Sequence, residues 1–302
     1  MNAMKIGVQL PEVERPVSWG EIRDVALVAE QGGLDSLWVG DHLLYRGESG
    51  ARGPWEAWSL LAALGEATER VDLGPLVAAT SFHSPAMIAK KAATVDEISG
   101  GRLILGLGAG WNRVEYLAYG FPYDHRVSRF EEALTIIAIL VREGRIDFQG
   151  RFYTLRDMEL APRARPDMPL MVGSNGPRML RIAMPLVDMW NTWYASYGND
   201  SVALAELMRE VDDACDDVDR DPARIARTAA VYVQLPGGTG RRPGDPTARE
   251  ESPPITGSRE QIAEGLAAFE EIGVDHVQVV LDPIDAPSVE ELAETVALLR
   301  DR

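Results

Sequence analysis

A (β/α)8 barrel of the TIM type, an α/β fold, is what the sequence predicts, and three observations predict it. Short apolar, partly β-branched runs alternate with longer stretches of helical periodicity, the alternation completes eight times, and it ends on a helix. Strict alternation implies parallel strands joined by helical crossovers, and eight such units suit a closed barrel better than an open doubly wound sheet. The 302 residues match two average domains, yet barrels of this length commonly fold as one, and residues 1–302 read as a single barrel domain.

The first strand is 4–10 (MKIGVQL), and 19–31 then places Ile22, Val25, Ala26 and Ala29 at helical spacing before Gly32 and Gly33 end the helix. Strand two is 34–40 with its helix at 55–69. Strand three is 71–77 with its helix at 84–99, where Pro85 takes a helix-start position. Gly100 and Gly101 punctuate before strand four at 102–107, and 127–143 is the fourth helix, with Leu134, Ile137 and Val141 on one face. Residues 144–168 break the rhythm: IDFQGRFYTL predicts a hairpin turning at Gln149 and Gly150, and Pro162, Pro166 and Pro169 mark a loop, an insertion within the unit that follows strand four. Strands five to eight fall at 170–173, 187–191, 227–235 and 274–281, with helices at 177–186, 201–218, 258–272 and 288–299. A second insertion, 236–257 after strand seven, is rich in Gly, Pro, Arg and Asp and reads equally as a mobile lid or as disordered chain.

Composition narrows the function. Thirty Lys and Arg against forty-seven Asp and Glu give a net charge of −17, which opposes nucleic acid and anionic membrane as partners. No apolar run reaches the roughly 18 residues of a membrane helix, the N-terminus lacks signal-peptide features, and Met1 to Ala3 read as a cloning remnant. Cys215 is the one cysteine, set among acids that oppose thiolate formation, and a cytoplasmic protein is the expectation.

Barrel enzymes gather their chemistry at the C-terminal ends of the strands. Asp41 and His42 end strand two, where a carboxylate beside an imidazole can supply an acceptor and a proton-transfer group, or a histidine bonded for structure alone. His83 can reach the mouth, His125 sits in a loop, and His276 reads as packing; no pair has metal-ligand spacing, so no metal is expected. Strand four ends in Gly106, Gly108 and Gly110, whose spacing is not a dinucleotide fingerprint; the missing side chains admit a flat ring or reflect tight packing. Strand five runs through Gly173, Ser174, Asn175, Gly176, Pro177 and Arg178 into a helix, either a phosphate cradle or a proline-started cap. Trp111, Trp190 and Trp193, near strand ends, wall a cleft for an apolar or aromatic substrate or simply pack.

Several segments together resemble the luciferase-like flavin and deazaflavin oxidoreductase superfamily over nearly the whole chain. They are LDSLWVGDHL (34–43), ERVDLGPLVAAT (69–80), HSPAMIAKKAATVDEISGGRLILGLGAGW (83–111), RFEEAL (129–134), VGSNGPRMLRIA (172–183) with DMWN (188–191), and GSREQIAEGLAAFEEIGVDHV (257–277). The branch it looks most like uses coenzyme F420, a deazaflavin that carries hydride without activating oxygen. The resemblance implies that Asp41 and His42 flank the reactive ring, with His42 the acid or base. It places Pro75 and Leu76 at a strand-three bulge, often a non-prolyl cis peptide, behind that ring; Ala78, Gly108 and Ala109 line the ring and its tail, and Val172 to Arg178 hold the phosphate. Trp111 stands where the sugar-phosphate dehydrogenases of this family carry a catalytic glutamate, which favours a flatter, less polar substrate. The expected activity is F420-dependent hydride transfer. An FMN-dependent monooxygenase fed by a separate reductase is the second reading, and a non-catalytic flavin-binding barrel the third. A small-molecule substrate, a separate F420 or flavin reductase and a homodimer are the expected partners.

Overall fold

The computed structural model describes residues 3–47, 50–240 and 252–301. A barrel sheet is built from β1 (Lys5–Gln9), β2 (Ser36–Val39), β5 (Asp72–Pro75), β6 (Ala78–Ala79), β7 (Leu105–Gly108), β10 (Leu170–Gly173), β11 (Met189–Thr192), β12 (Ala226–Gln234) and β13 (His276–Asp282). All pairings in it are parallel, each strand lies beside its successor, and β13 returns to pair with β1, Lys5 opposite His276. Closure comes at the third strand, which is split: β5 pairs with β2, β6 pairs with β7, and a bridge between Leu73 and Leu103 joins the two edges. The peptide between Leu76 and Val77, at the split, is cis. Counting β5 and β6 as one interrupted strand, the eight predicted strands are all present, and the α/β barrel is the observed fold.

The outer helices form where apolar spacing and caps agree. In α1 (Trp19–Gln31), Ser18 accepts the Glu21 N–H, Gly32 caps the other end, and Ile22, Val25, Ala26 and Ala29 are buried toward the sheet. The others are α2 (Ala57–Ala67), α3 (Pro85–Ile98), α5 (Arg126–Glu143), α6 (Pro177–Ala183), α7 (Ser201–Asp216), α8 (Arg259–Glu271) and α9 (Ala286–Arg300). One contiguous apolar core runs through all these units. Cys215 of α7 belongs to it, and burial, ahead of neighbouring Asp212, is what pushes its thiol up.

Additions to the barrel cluster early in the chain. The predicted hairpin is β8 (Arg145–Gln149) with β9 (Thr154–Glu159), which follows α5 rather than strand four directly. A helix, α4 (Arg113–Tyr119), fills part of the segment read as loop between strand four and its helix, and a small hairpin, β3 (Tyr45–Gly47) with β4 (Gly50–Arg52), follows strand two; neither was expected. Residues 241–251 of the second insertion lie outside the described residues. Its end returns along β12, where Ile255 donates to Tyr232 O and accepts from Gln234 N.

At the barrel's other end Arg102 braces the closure. Its guanidinium donates to Ser99 O, Thr68 Oγ1, Val71 O, Gly65 O and Thr68 O at 2.6–2.9 Å, tying the end of α2 and the start of β5 to the start of strand four. Truncation leaves several partly buried carbonyls without donors. Arg102→Ala is expected to lower unfolding free energy by about 2–4 kcal/mol, measured by urea denaturation; a loss below about 0.5 kcal/mol would show that the closure does not lean on it.

Candidate active site

A cavity of about 530 Å³ opens at the C-terminal ends of the strands, a volume ordinary for a small-molecule or cofactor site. Strand two delivers Asp41 and His42 to its wall, as the sequence predicts. Asp41 is buried, its Oδ2 accepting the Ala79 N–H at 2.8 Å, so it ties strand two to β6. Burial pushes its carboxyl up to about 7, against the opposing effects of that N–H and of neighbouring His42. Behind it stands His83, with Nε2 4.0 Å from Asp41 Oδ2 and Nδ1 3.2 Å from Lys91 Nζ. Burial, then the Lys91 charge, holds His83 down to about 4, so it is neutral near pH 7 and Nδ1 accepts from the ammonium. His83 backs the site and is not among the residues lining it.

The residue that completes the site is Glu115, which the sequence reading did not single out. Its carboxylate is 1% exposed. It lies 3.1–3.2 Å from His42 Nδ1 and accepts the N–H groups of Leu43 at 2.5 Å and Leu44 at 3.1 Å. Burial favours its neutral form, but His42 and the two backbone donors outweigh it, and the carboxyl is held below its ordinary range. Helix α4 points it inward. Asn112 caps the helix by accepting from Val114 N, Gly120 ends it in the left-handed region, and Tyr116 anchors it by donating to Ala109 O at 2.9 Å and packing on Phe82. The signal was legible: Asn112 three residues before Glu115, with Gly120 beyond, is a helix-start and helix-stop pattern. Tyr45 and Trp111 pack around His42, with ring centroids 4.8 and 5.7 Å from the imidazole.

Strand three supplies Leu76 and Val77 to the cavity, with the cis bond between them where the resemblance placed a bulge; Pro75 and Ala78 lie in the strand behind. The strand-four and strand-five glycines follow from Val77. A Cβ on Gly108 would come 2.7 Å from Val77 Cγ2, and one on Gly173 2.9 Å from it, so both glycines make room for that side chain while their backbones still line the cavity. Ala109, Ser174 and Trp193 also line it.

Several expected contacts are absent. Arg178 does not reach the cavity: Pro177 begins α6 with Gly176 as its cap, and the exposed Arg178 guanidinium turns outward to Ser128 Oγ at 2.9 Å and Glu131 at 3.2 Å on α5. Gly176 and Pro177 stay outside the lining, and Val172 is wholly buried in the core. Trp190, 1% exposed, is core, its indole N–H donating to Ser174 O at 2.8 Å, and so supports the strand-five loop from below. The guanidinium that does line the cavity is Arg126, at the start of α5; it donates to Gly110 O at 2.5 Å and stacks on Tyr123, 4.5 Å from the ring centroid. Reading that segment as loop hid it. Among the described residues no group of His, Cys, Asp or Glu is arranged to hold a metal ion, and no helix is long and apolar enough to cross a membrane.

A carboxyl that titrates near 7 when folded and near 4 when unfolded binds its proton more tightly in the folded chain. The ionised Asp41 therefore costs stability progressively as pH rises from about 4 to about 7, and the cost is constant above. Asp41→Asn is expected to match the parent near pH 4 and to exceed it above pH 7 by at most about 4 kcal/mol. Melting curves across this range check it; a pH-independent difference would show that Asp41 is ionised throughout.

Comparison with known proteins shows what the chain resembles. An F420-dependent glucose-6-phosphate dehydrogenase of Amycolatopsis mediterranei is 33% identical over 168 residues, 54% of this chain and 50% of that protein. The pyrimidine monooxygenase RutA of Methylorubrum extorquens is 31% identical over 220 residues, 70% of this chain and 57% of that protein. The match to the dehydrogenase thus spans about half of that protein's length. An F420-dependent secondary alcohol dehydrogenase, solved in complex with an F420-acetone adduct, superposes with a TM-score of 0.83 over 99% of both chains at 20% identity, a likeness of fold. The family model described as luciferase-like monooxygenase matches residues 4–236, and the chain belongs to that family.

Proposed function

We propose that this chain is an F420-dependent oxidoreductase acting on a small, uncharged organic molecule of apolar or aromatic character, with His42 as the group that exchanges the proton. The observation that carries the reading is His42 held on the cavity wall by Glu115. Likeness to F420-dependent proteins over half of the chain supports the choice of cofactor.

The residues fit such a group. A flat fused ring needs an apolar wall, and Leu76, Val77, Ala79 and Ala109 offer one. A hydroxylated, phosphate-bearing tail needs donors and acceptors, and Arg126, Ser174 and Asn175 supply them in the lining. Asn175 Oδ1 is buried there with no hydrogen-bond partner among the described residues, an acceptor awaiting a donor. When bound, the deazaflavin supplies the hydride acceptor or donor. His42 takes up or gives up one proton at the substrate's heteroatom, Trp111 and Tyr45 cover that end, and Trp193 adds apolar surface. Glu12 and Glu14 line the β1 side, and among the described lining residues Arg126 is the one Arg or Lys, which disfavours a phosphorylated substrate. Likeness to a monooxygenase over a longer stretch is compatible with a second reading, FMN-dependent oxygenation with reduced flavin supplied by a separate reductase.

Fluorescence titration with F420 and, separately, FMN decides between them. F420 is expected to bind at least tenfold more tightly, about 1.4 kcal/mol; equal or tighter FMN binding would overturn the F420 reading. Arg126→Ala is expected to weaken F420 binding by about 1.5–3 kcal/mol and to flatten its salt dependence, with Arg178→Ala as a neutral control; the reverse pattern would move the phosphate to α6. His42→Ala is expected to lower turnover by about 10²- to 10⁴-fold with cofactor affinity little changed. Near-normal turnover would remove His42 from the chemistry.

A further inference from the structure

We propose that Glu115 is the positioning residue of this site, holding His42 as its Nδ1–H tautomer so that Nε2 is the atom that exchanges a proton with a molecule in the cavity. The inference rests on the reading of His42 as the proton-exchanging group. It adds a specific atom, a specific tautomer and the residue that imposes both.

The chemistry follows from the donor count. An ionised carboxylate only accepts hydrogen bonds. Glu115 is ionised near neutral pH: its buried carboxylate accepts Leu43 N–H and Leu44 N–H, which cannot be anything but donors, and its carboxyl is held below the ordinary range. The third contact, His42 Nδ1 at 3.1–3.2 Å, must then carry a hydrogen whether the ring is neutral or charged. In the neutral ring that leaves the lone pair on Nε2, the base form. The same carboxylate stabilises the ring once Nε2 has taken a proton, so Glu115 also strengthens His42 as a base. Other groups facing the imidazole are Asp41 beside it, Tyr45 and Trp111 packed on it, and Glu12, which accepts from Tyr45 OH at 3.2 Å.

The arrangement is also more than a loop clamp. Besides the two backbone N–H groups of the loop, the same carboxylate reaches the imidazole, and the loop is also held by Asn112 Nδ2 donating to Leu44 O. Helix α4 is short and caps itself through Asn112, so Glu115 is not needed to start it.

Nitrogen-15 NMR of histidine-labelled protein without cofactor tests the proposal apart from any activity. The chain has four histidines, and His42→Gln assigns the signal by its loss. At pH 8 to 9 the parent is expected to show His42 as the Nδ1–H tautomer, and Glu115→Gln is expected to lower the His42 titration midpoint by about one unit. An Nε2–H tautomer in the parent overturns the proposal even if Glu115→Gln does not fold. An unchanged midpoint in a folded Glu115→Gln protein overturns it too and leaves Glu115 as a clamp on the loop. Failure of F420 to bind would strike the cofactor reading and leave these signals unaffected. In turnover, Glu115→Gln is expected to lower kcat about tenfold to a hundredfold at unchanged KM and to move the acidic limb of the pH profile in the same direction as the NMR midpoint.

Discussion

One buried carboxylate organises the mouth of this barrel. Glu115 gathers two backbone N–H groups from the turn after strand two and the imidazole at its head, and it does so from a helix that belongs to strand four. The bond therefore joins two barrel strands that are not neighbours and fixes the distance between them where the cavity opens. Desolvating a carboxylate is costly unless its lone pairs are filled, and here they are filled by groups that the site needs held still. The satellite cluster of Ala79, Phe82 and Tyr116 under α4 gives the apolar support that keeps the helix, and with it the charge, in place.

A second constraint sits across the cavity. The third strand changes partners between Pro75 and Ala78, pairing first with strand two and then with strand four, and Val77 turns into the space between. Gly108 and Gly173, on the next two strands, have no side chains because Val77 occupies the volume they would fill. Val77 and the two missing side chains thus shape one part of the apolar wall, which Leu76, Ala79 and Ala109 continue. Asp41, bonded to Ala79 N–H across the same break, ties this wall to the strand that carries His42.

Much of this was legible in the residues. Periodicity located every barrel strand, the hairpin at Gln149 and Gly150, and Asp41 with His42 at a strand end, because those features are local: an alternation, a turn dipeptide, a position where apolar residues stop. What escaped is set by direction rather than by type. Arg178 follows a proline-started helix and looks suited to a phosphate, but the phase of α6 turns it onto α5. Arg126 lies one residue before the helix read from the sequence, yet it is the first residue of α5 and lines the cavity. Trp190 lies inside β11 rather than at its end and is buried in the core, and a single sequence does not show which strand residues reach the mouth. Glu115 was missed for a different reason: its helix is seven residues long, below the length at which apolar periodicity becomes visible, and only its caps announce it.

A crystal structure of the protein with F420 bound is the most direct measurement of the central claim. The deazaflavin ring is expected against Leu76 and Val77, its tail phosphate within reach of Arg126 and Ser174, and His42 Nε2 facing the space left for substrate. A ring placed away from His42, or a phosphate held by Arg178 instead of Arg126, would contradict it.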